Sequence, residues 1–97
     1  MPPHPPPCRI GEIRIGNTCY PSPDLHINPL GANFNFTVDN VHLDAVPGIK
    51  DMAGGGDNIS VDDDGINAKI TITGVPRGTA ESLLKGLKPD DPDAKLP

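Results

Sequence analysis

Apolar and polar residues alternate over two stretches of this chain, and a period of two is the signature of a half-buried β-strand. In "ANFNFTVDNVHLDAV", Phe34, Phe36 and Val38 share one face, while Asn33, Asn35, Thr37 and Asp39 share the other. The parity then changes, because Val41, Leu43 and Ala45 are odd-numbered. Either an extra residue near Asp39–Asn40 forms a β-bulge that restores the apolar face, or the segment is two short strands. The second stretch is "ISVDDDGINAKITITGV". Ile59 and Val61 precede an Asp-Asp-Asp-Gly run, and Ile66, Ala68, Ile70 and Ile72 then alternate with Asn67, Lys69, Thr71 and Thr73. Pairing Val61 with Ile66 and Ile59 with Ala68 puts these side chains on one face. It leaves Asp62 to Gly65 as a hairpin loop, with Gly65 taking the positive φ. Adjacent aspartates suit such a turn, since their carboxylates accept local backbone N–H groups. A calcium loop needs roughly six to eight oxygens, usually from alternate positions. These aspartates are adjacent and the next Glu is Glu81, so no metal site is expected.

The remaining segments carry weaker patterns. "RIGEIRIG" offers Ile10, Ile13 and Ile15 for a short strand closed by Gly16-Asn17. "YPSPDLHINPLG" reads as an extended connector anchored by Leu25, Ile27 and Leu30. In "PGIKDMAGGGD", Pro47-Gly48 is a turn signal and Gly54 to Gly56 the most flexible part, with Ile49 and Met52 tucked under the sheet. "TAESLLKGLKP" predicts a helix of about eight or nine residues, capped by Thr79, with Glu81 in its first turn and Pro89 ending it. Its stripe of Leu83, Leu84 and Leu87 must dock on something, because so short a helix is unstable alone. The expected fold is mainly β: a small curved antiparallel sheet with one short C-terminal helix. It occupies residues 8–87, between a Pro-rich arm at 1–7 and a disordered acidic tail at 88–97.

Composition narrows the function. A chain of 97 residues makes one small domain, and it holds no Trp, one Tyr and two Phe. The core must be mainly Ile, Val and Leu, or be completed by a partner. Net charge is −5 with Lys and Arg scattered singly, so no basic track exists for nucleic acid. No apolar run approaches the ~20 residues of a transmembrane segment, and none resembles a secretory signal. The chain is cytosolic, or mature and processed, or a piece of something longer. Cys8 and Cys19 fit no zinc or redox spacing. They form a disulfide or stay as two thiols; the disulfide is expected, and with it an oxidising, extracellular setting. The acceptors Asn35-Phe-Thr and Asn58-Ile-Ser add weak support as glycosylation sites on the polar side of the strands. No nucleophile, phosphate-loop or metalloprotease motif occurs, and His4, His26 and His42 are isolated, so neither an enzyme nor a cofactor is expected.

From Phe34 to Val75 the chain resembles the early part of the insect juvenile-hormone-binding and takeout proteins and of the group 7 mite allergens. The residues that carry the resemblance are "DNVHLDAVPGIKDM" and "GDNISVDDDGINAKITITGV", with "LHINPL" upstream, so that it spans about residues 25–75. An N-terminal cysteine pair also occurs in the insect members. The resemblance implies a curved antiparallel sheet wrapped around a long helix, with an apolar tunnel for a lipid-like ligand. This chain is about half the usual length and has no sequence for the long helix.

Two functions follow. The first is a secreted, non-enzymatic binder of a hydrophobic small molecule, lined by Phe34, Phe36, Val38, Ile59, Val61, Ile70 and Ile72. The second is a structural or interaction β-module, extracellular or on a virion surface, that buries its apolar face against another copy or a partner subunit.

Overall fold

The computed structural model describes residues 7–54, 58–91 and 93–97. The arm at 1–7, apart from Pro7, and most of the glycine run at 54–56 lie outside the described residues. The described residues fold into two antiparallel sheets, two α-helices and a 3-10 turn. β1 (Glu12–Ile15) and β2 (Thr18–Pro21) form a hairpin. β3 (Asp24–Leu30), β4 (Asn33–His42), β5 (Ile59–Asp63) and β6 (Asn67–Val75) form a second sheet in the order β3-β4-β6-β5. A 3-10 turn (Leu43–Ala45) leads into α1 (Val46–Met52), and α2 (Arg77–Leu87) follows β6. The mainly β architecture with a short C-terminal helix agrees with the sequence. The single sheet expected there is two, because the Gly16-Asn17 turn closes a separate hairpin.

β4 is one strand, and its bulge is real. The register slips between Val38 and Val41, and Asn40 adopts φ 60° there. Asparagine tolerates that left-handed region better than most residues. Its Nδ2 also donates to Asp24 Oδ2 at 2.6 Å, tying the bulge to β3. The slip returns Val41 to the buried face beside Phe34, Phe36 and Val38. A second slip lies between Phe34 and Phe36, opposite Gly74 at φ 66°.

Several local expectations change. The connector "DLHINPL" pairs with β4 along its whole length as an edge strand. Leu25 and Ile27 face the core, but Leu30 is 64% exposed because it pairs with Asn33 on the opposite face. Leu43 and Ala45 leave the strand for the 3-10 turn, where the His42 ring nitrogen Nδ1 accepts the Asp44 N–H at 3.1 Å. Pro47-Gly48 starts a helix, since proline at the first helical positions loses no intrahelical bond. Thr79 lies inside α2, whose N-cap is Pro76, extended at φ −67° and ψ 159°. The Ala80 N–H bonds the Pro76 carbonyl at 2.8 Å, so the helix starts two residues before Thr79. In the tail, Leu96 packs against the core cluster and the Lys88 ammonium donates to the Pro23 carbonyl at 3.0 Å.

The core lies between the large sheet and a cover of both helices and the small hairpin. α2 buries Ala80, Leu83, Leu84 and Leu87, the i, i+3, i+4, i+7 stripe of an amphipathic helix. α1 contributes Ile49 and the hairpin contributes Ile13. The approach of α1 to β1 is close enough to require glycine. A Cβ at Gly48 would overlap the Cγ2 methyl of Ile15, whose branched Cβ lies only 3.4 Å away. A Cβ at Gly86 would meet the flexible end of Met52 instead. Gly48→Ala is therefore expected to cost about 1–3 kcal/mol through overpacking. Gly86→Ala should be neutral or mildly stabilising, since helical glycine costs roughly 1 kcal/mol relative to alanine. Urea midpoints of the two variants distinguish these outcomes.

Candidate functional site

The apolar strand face singled out from the sequence is assembled by register. Phe36 pairs with Ile72 and Val38 with Ile70 between β4 and β6, while Ile59 pairs with Ile72 and Val61 with Ile70 between β5 and β6. The hairpin register differs from the expected pairing of Val61 with Ile66 by four positions. The shift is even, so every side chain keeps its expected face. Ile66 is the exception: it drops into the loop and is 73% exposed.

Burial divides these residues. Phe36, Val38 and Ile70 have no accessible surface, and Phe34 and Ile72 have almost none. A side chain with no accessible surface borders neither solvent nor a void that would hold a water. The centre of the face is closed core beneath Ile49, Leu83 and Leu87. Ile59 is half-buried and Val61 is 40% exposed, because β5 is the sheet's outermost strand. The Arg77 guanidinium lies over the Phe34 ring, 5.5 Å from its centroid.

The acidic hairpin tip is held by its own carboxylates. Asp63 Oδ2 accepts the Gly65 N–H at 3.2 Å, with Gly65 at φ 94° as expected. Asp64 Oδ1 accepts the N–H groups of Asn67 at 2.8 Å and Ile66 at 2.9 Å. The bond from Asn67, and then that from Ile66, holds the Asp64 carboxyl below the ordinary aspartate range. A lowered folded-state pKa stabilises the fold above the unfolded pKa of about 3.9, and that contribution disappears as pH falls through the folded value. Acidification below about pH 4 should therefore loosen the tip before the sheet. In an NMR titration the amides of Ile66 and Asn67 should move together with the Asp64 side chain, and Asp64→Asn should abolish that transition. A cleft of about 240 Å³ beside the tip is lined by Asp39, Asn40, Asp62 to Asp64, Asn67, Ala68 and Lys69. Among the described residues no cluster of His, Cys, Asp or Glu has the arrangement of a metal site.

Cys8 and Cys19 are bonded to each other, with Cα atoms 5.6 Å apart. Of the asparagines in the two Asn-X-Ser/Thr sequences, Asn58 is exposed and Asn35 is half-buried. Asn35 Oδ1 accepts the Gly74 N–H at 3.0 Å across the second bulge. His42 is exposed and stacks obliquely on Tyr20, with ring centroids 5.3 Å apart. Among the described residues no polar or charged side chain is buried, and no helix is long and apolar enough to cross a membrane.

The chain matches no protein-family model, no curated protein and no solved structure. The resemblance to juvenile-hormone-binding and group 7 allergen proteins rests on the residues that suggested it. The site feature that sequence reasoning missed is the outer edge of β5. Its signal was the change from "ISV" to "DDD", which marks a short strand with an apolar start and an acidic end.

Proposed function

We propose that this chain is a non-enzymatic β-module of extracellular type that docks through its exposed sheet surface rather than enclosing a ligand. The carrying observation is the closed apolar face: Phe36, Val38 and Ile70 are fully covered by the chain's own helices. A hydrophobic small molecule would reach them only if α1 and α2 left the sheet, which would expose Ile49, Leu83 and Leu87 as well. The disulfide fits an oxidising compartment, and the exposure of Asn58 suits a glycan there better than at Asn35. The test is native mass spectrometry of the purified protein together with an environment-sensitive fatty-acid probe. The expected result is a protein without retained ligand and without probe enhancement. A co-purifying apolar molecule, or saturable probe binding that Phe34→Ala weakens, would overturn the module reading in favour of a hydrophobic-ligand carrier.

A further inference from the structure

The large sheet has two edges, and they are not alike. β3 is blunted by Pro29, which has no N–H to offer, and the segment leading into it is tied to α2, where Ser22 Oγ donates to the Leu87 carbonyl. β5 contains no proline and, among the described residues, pairs with β6 alone. The direction of its free groups follows from the ladder. The Thr73 N–H bonds the Asn58 carbonyl and the Asp64 N–H bonds the Asn67 carbonyl, each at 3.0 Å. Asn58–Thr73 and Asp64–Asn67 lie in register with the Ser60–Thr71 and Asp62–Lys69 pairs. In an antiparallel ladder hydrogen-bonded pairs alternate with non-bonded ones. The even-numbered residues of β5 therefore turn their backbone groups toward β6, and Ile59, Val61 and Asp63 turn theirs outward. These three also place their side chains on the helix-covered face, with Ser60 and Asp62 on the other.

On this geometry, and resting on the module reading, we propose that the outer edge of β5 takes an extended basic segment of a partner protein as an added strand. The partner alternates apolar and cationic residues. Its apolar side chains lie beside Ile59 and Val61, extending the face that the helices leave uncovered at this edge. Its cations lie on the opposite face, beside Asp62 and toward Asp64 at the tip. Among the described residues lining the tip cleft, Lys69, opposite Asp62, is the one cation, against Asp39, Asp62, Asp63 and Asp64. That imbalance selects the occupant. A second copy would bring its own acidic hairpin and a net charge of −5 to the same edge, and an acidic or neutral segment gains nothing there. Acidic residues at an edge discourage pairing with like strands and admit a basic one.

The probe is a blocked pentapeptide of alternating lysine and valine, matched to the five residues of β5 and titrated into the intact disulfide-bonded protein. Amide shifts by NMR should centre on Ile59, Val61 and Asp63. Raising salt from 20 to about 300 mM should weaken binding severalfold. A peptide of the same sequence, N-methylated at the residues that would bond β5, keeps the charge but loses the strand donors, and should bind roughly tenfold more weakly. Val61→Pro removes one outward N–H without removing a bond to β6 and should weaken binding while the fold, checked by its melting curve, persists. Equal binding of the N-methylated peptide, shifts centred on β3, or equal binding of a glutamate–valine peptide would each overturn the assignment. So would self-association through β5. A retained apolar ligand would defeat the module reading without any result at β5. A peptide that ignores β5 would defeat this assignment and leave the closed core untouched.

Discussion

Phe36→Ala is expected to unfold most of the protein at 37 °C. Phe36 has no accessible surface, sits at the centre of β4 and packs in the cluster that also holds Ile72, Leu83 and Leu87. Truncating a buried phenylalanine costs about 3–5 kcal/mol, which includes the cavity left behind. A small domain has about 5–15 kcal/mol in total, and one with so few aromatics belongs at the lower end. Each lost kcal/mol lowers Tm by roughly 4–8 °C in a domain of this size, so the shift should be at least about 12 °C. Thr37 supplies the control. It is the next residue, points to the opposite face across from Thr71, and is only half-buried. Thr37→Ala should cost less than about 1 kcal/mol. Thermal melts of the two variants suffice, and comparable losses would contradict the assignment of the faces.

That contrast was legible in the sequence, because alternation fixes the side of a strand independently of its partner. The bulge was legible for the same reason: the apolar parity of Val38 and Val41 conflicts unless one residue is added, and Asn40 supplies it. The hairpin register was not. Ile66 and Ile70 satisfy the same parity opposite Val61, and the choice depends on the tip. The bonds from Ile66 and Asn67 to Asp64 close a tighter loop than the one expected and expel Ile66 from the face. α1 was hidden because Pro-Gly signals a turn or a helix start equally well. What decides is the fit of Gly48 against Ile15, a contact between segments remote in sequence. The cover over Phe36 and Ile70 was also beyond local reading. The Leu83–Leu87 stripe announced an apolar helix face, but which surface it would close is a tertiary fact. This separates a ligand face from a core, since the same residues serve either role until something is placed on them. The free edge of β5 belongs to the same class, for it depends on strand order.

Reducing the Cys8–Cys19 bond is expected to release the small hairpin and, through it, α1. The bond spans 11 positions in sequence, and it joins the segment before β1 to Cys19 in β2, opposite Arg14. Closing a loop of that size stabilises a fold by about 3 kcal/mol on a chain-entropy account. A two-stranded hairpin is marginal by itself. This one is held otherwise by Ile13, which is fully buried, and by Ile15 against Gly48. Its loss would uncover the side of the core that Ile13 fills, while β3 to β6 keep their own ladders. The reduced protein, or the double variant Cys8→Ser with Cys19→Ser, should melt more than about 10 °C lower. Hydrogen exchange should be uneven: amides of β1, β2 and α1 lose protection first, and those of β4 and β6 last. A uniform loss of protection would mean that the hairpin and the sheet form one cooperative unit. An unchanged melting temperature would mean that Ile13 alone secures the hairpin and the bond contributes nothing to the fold.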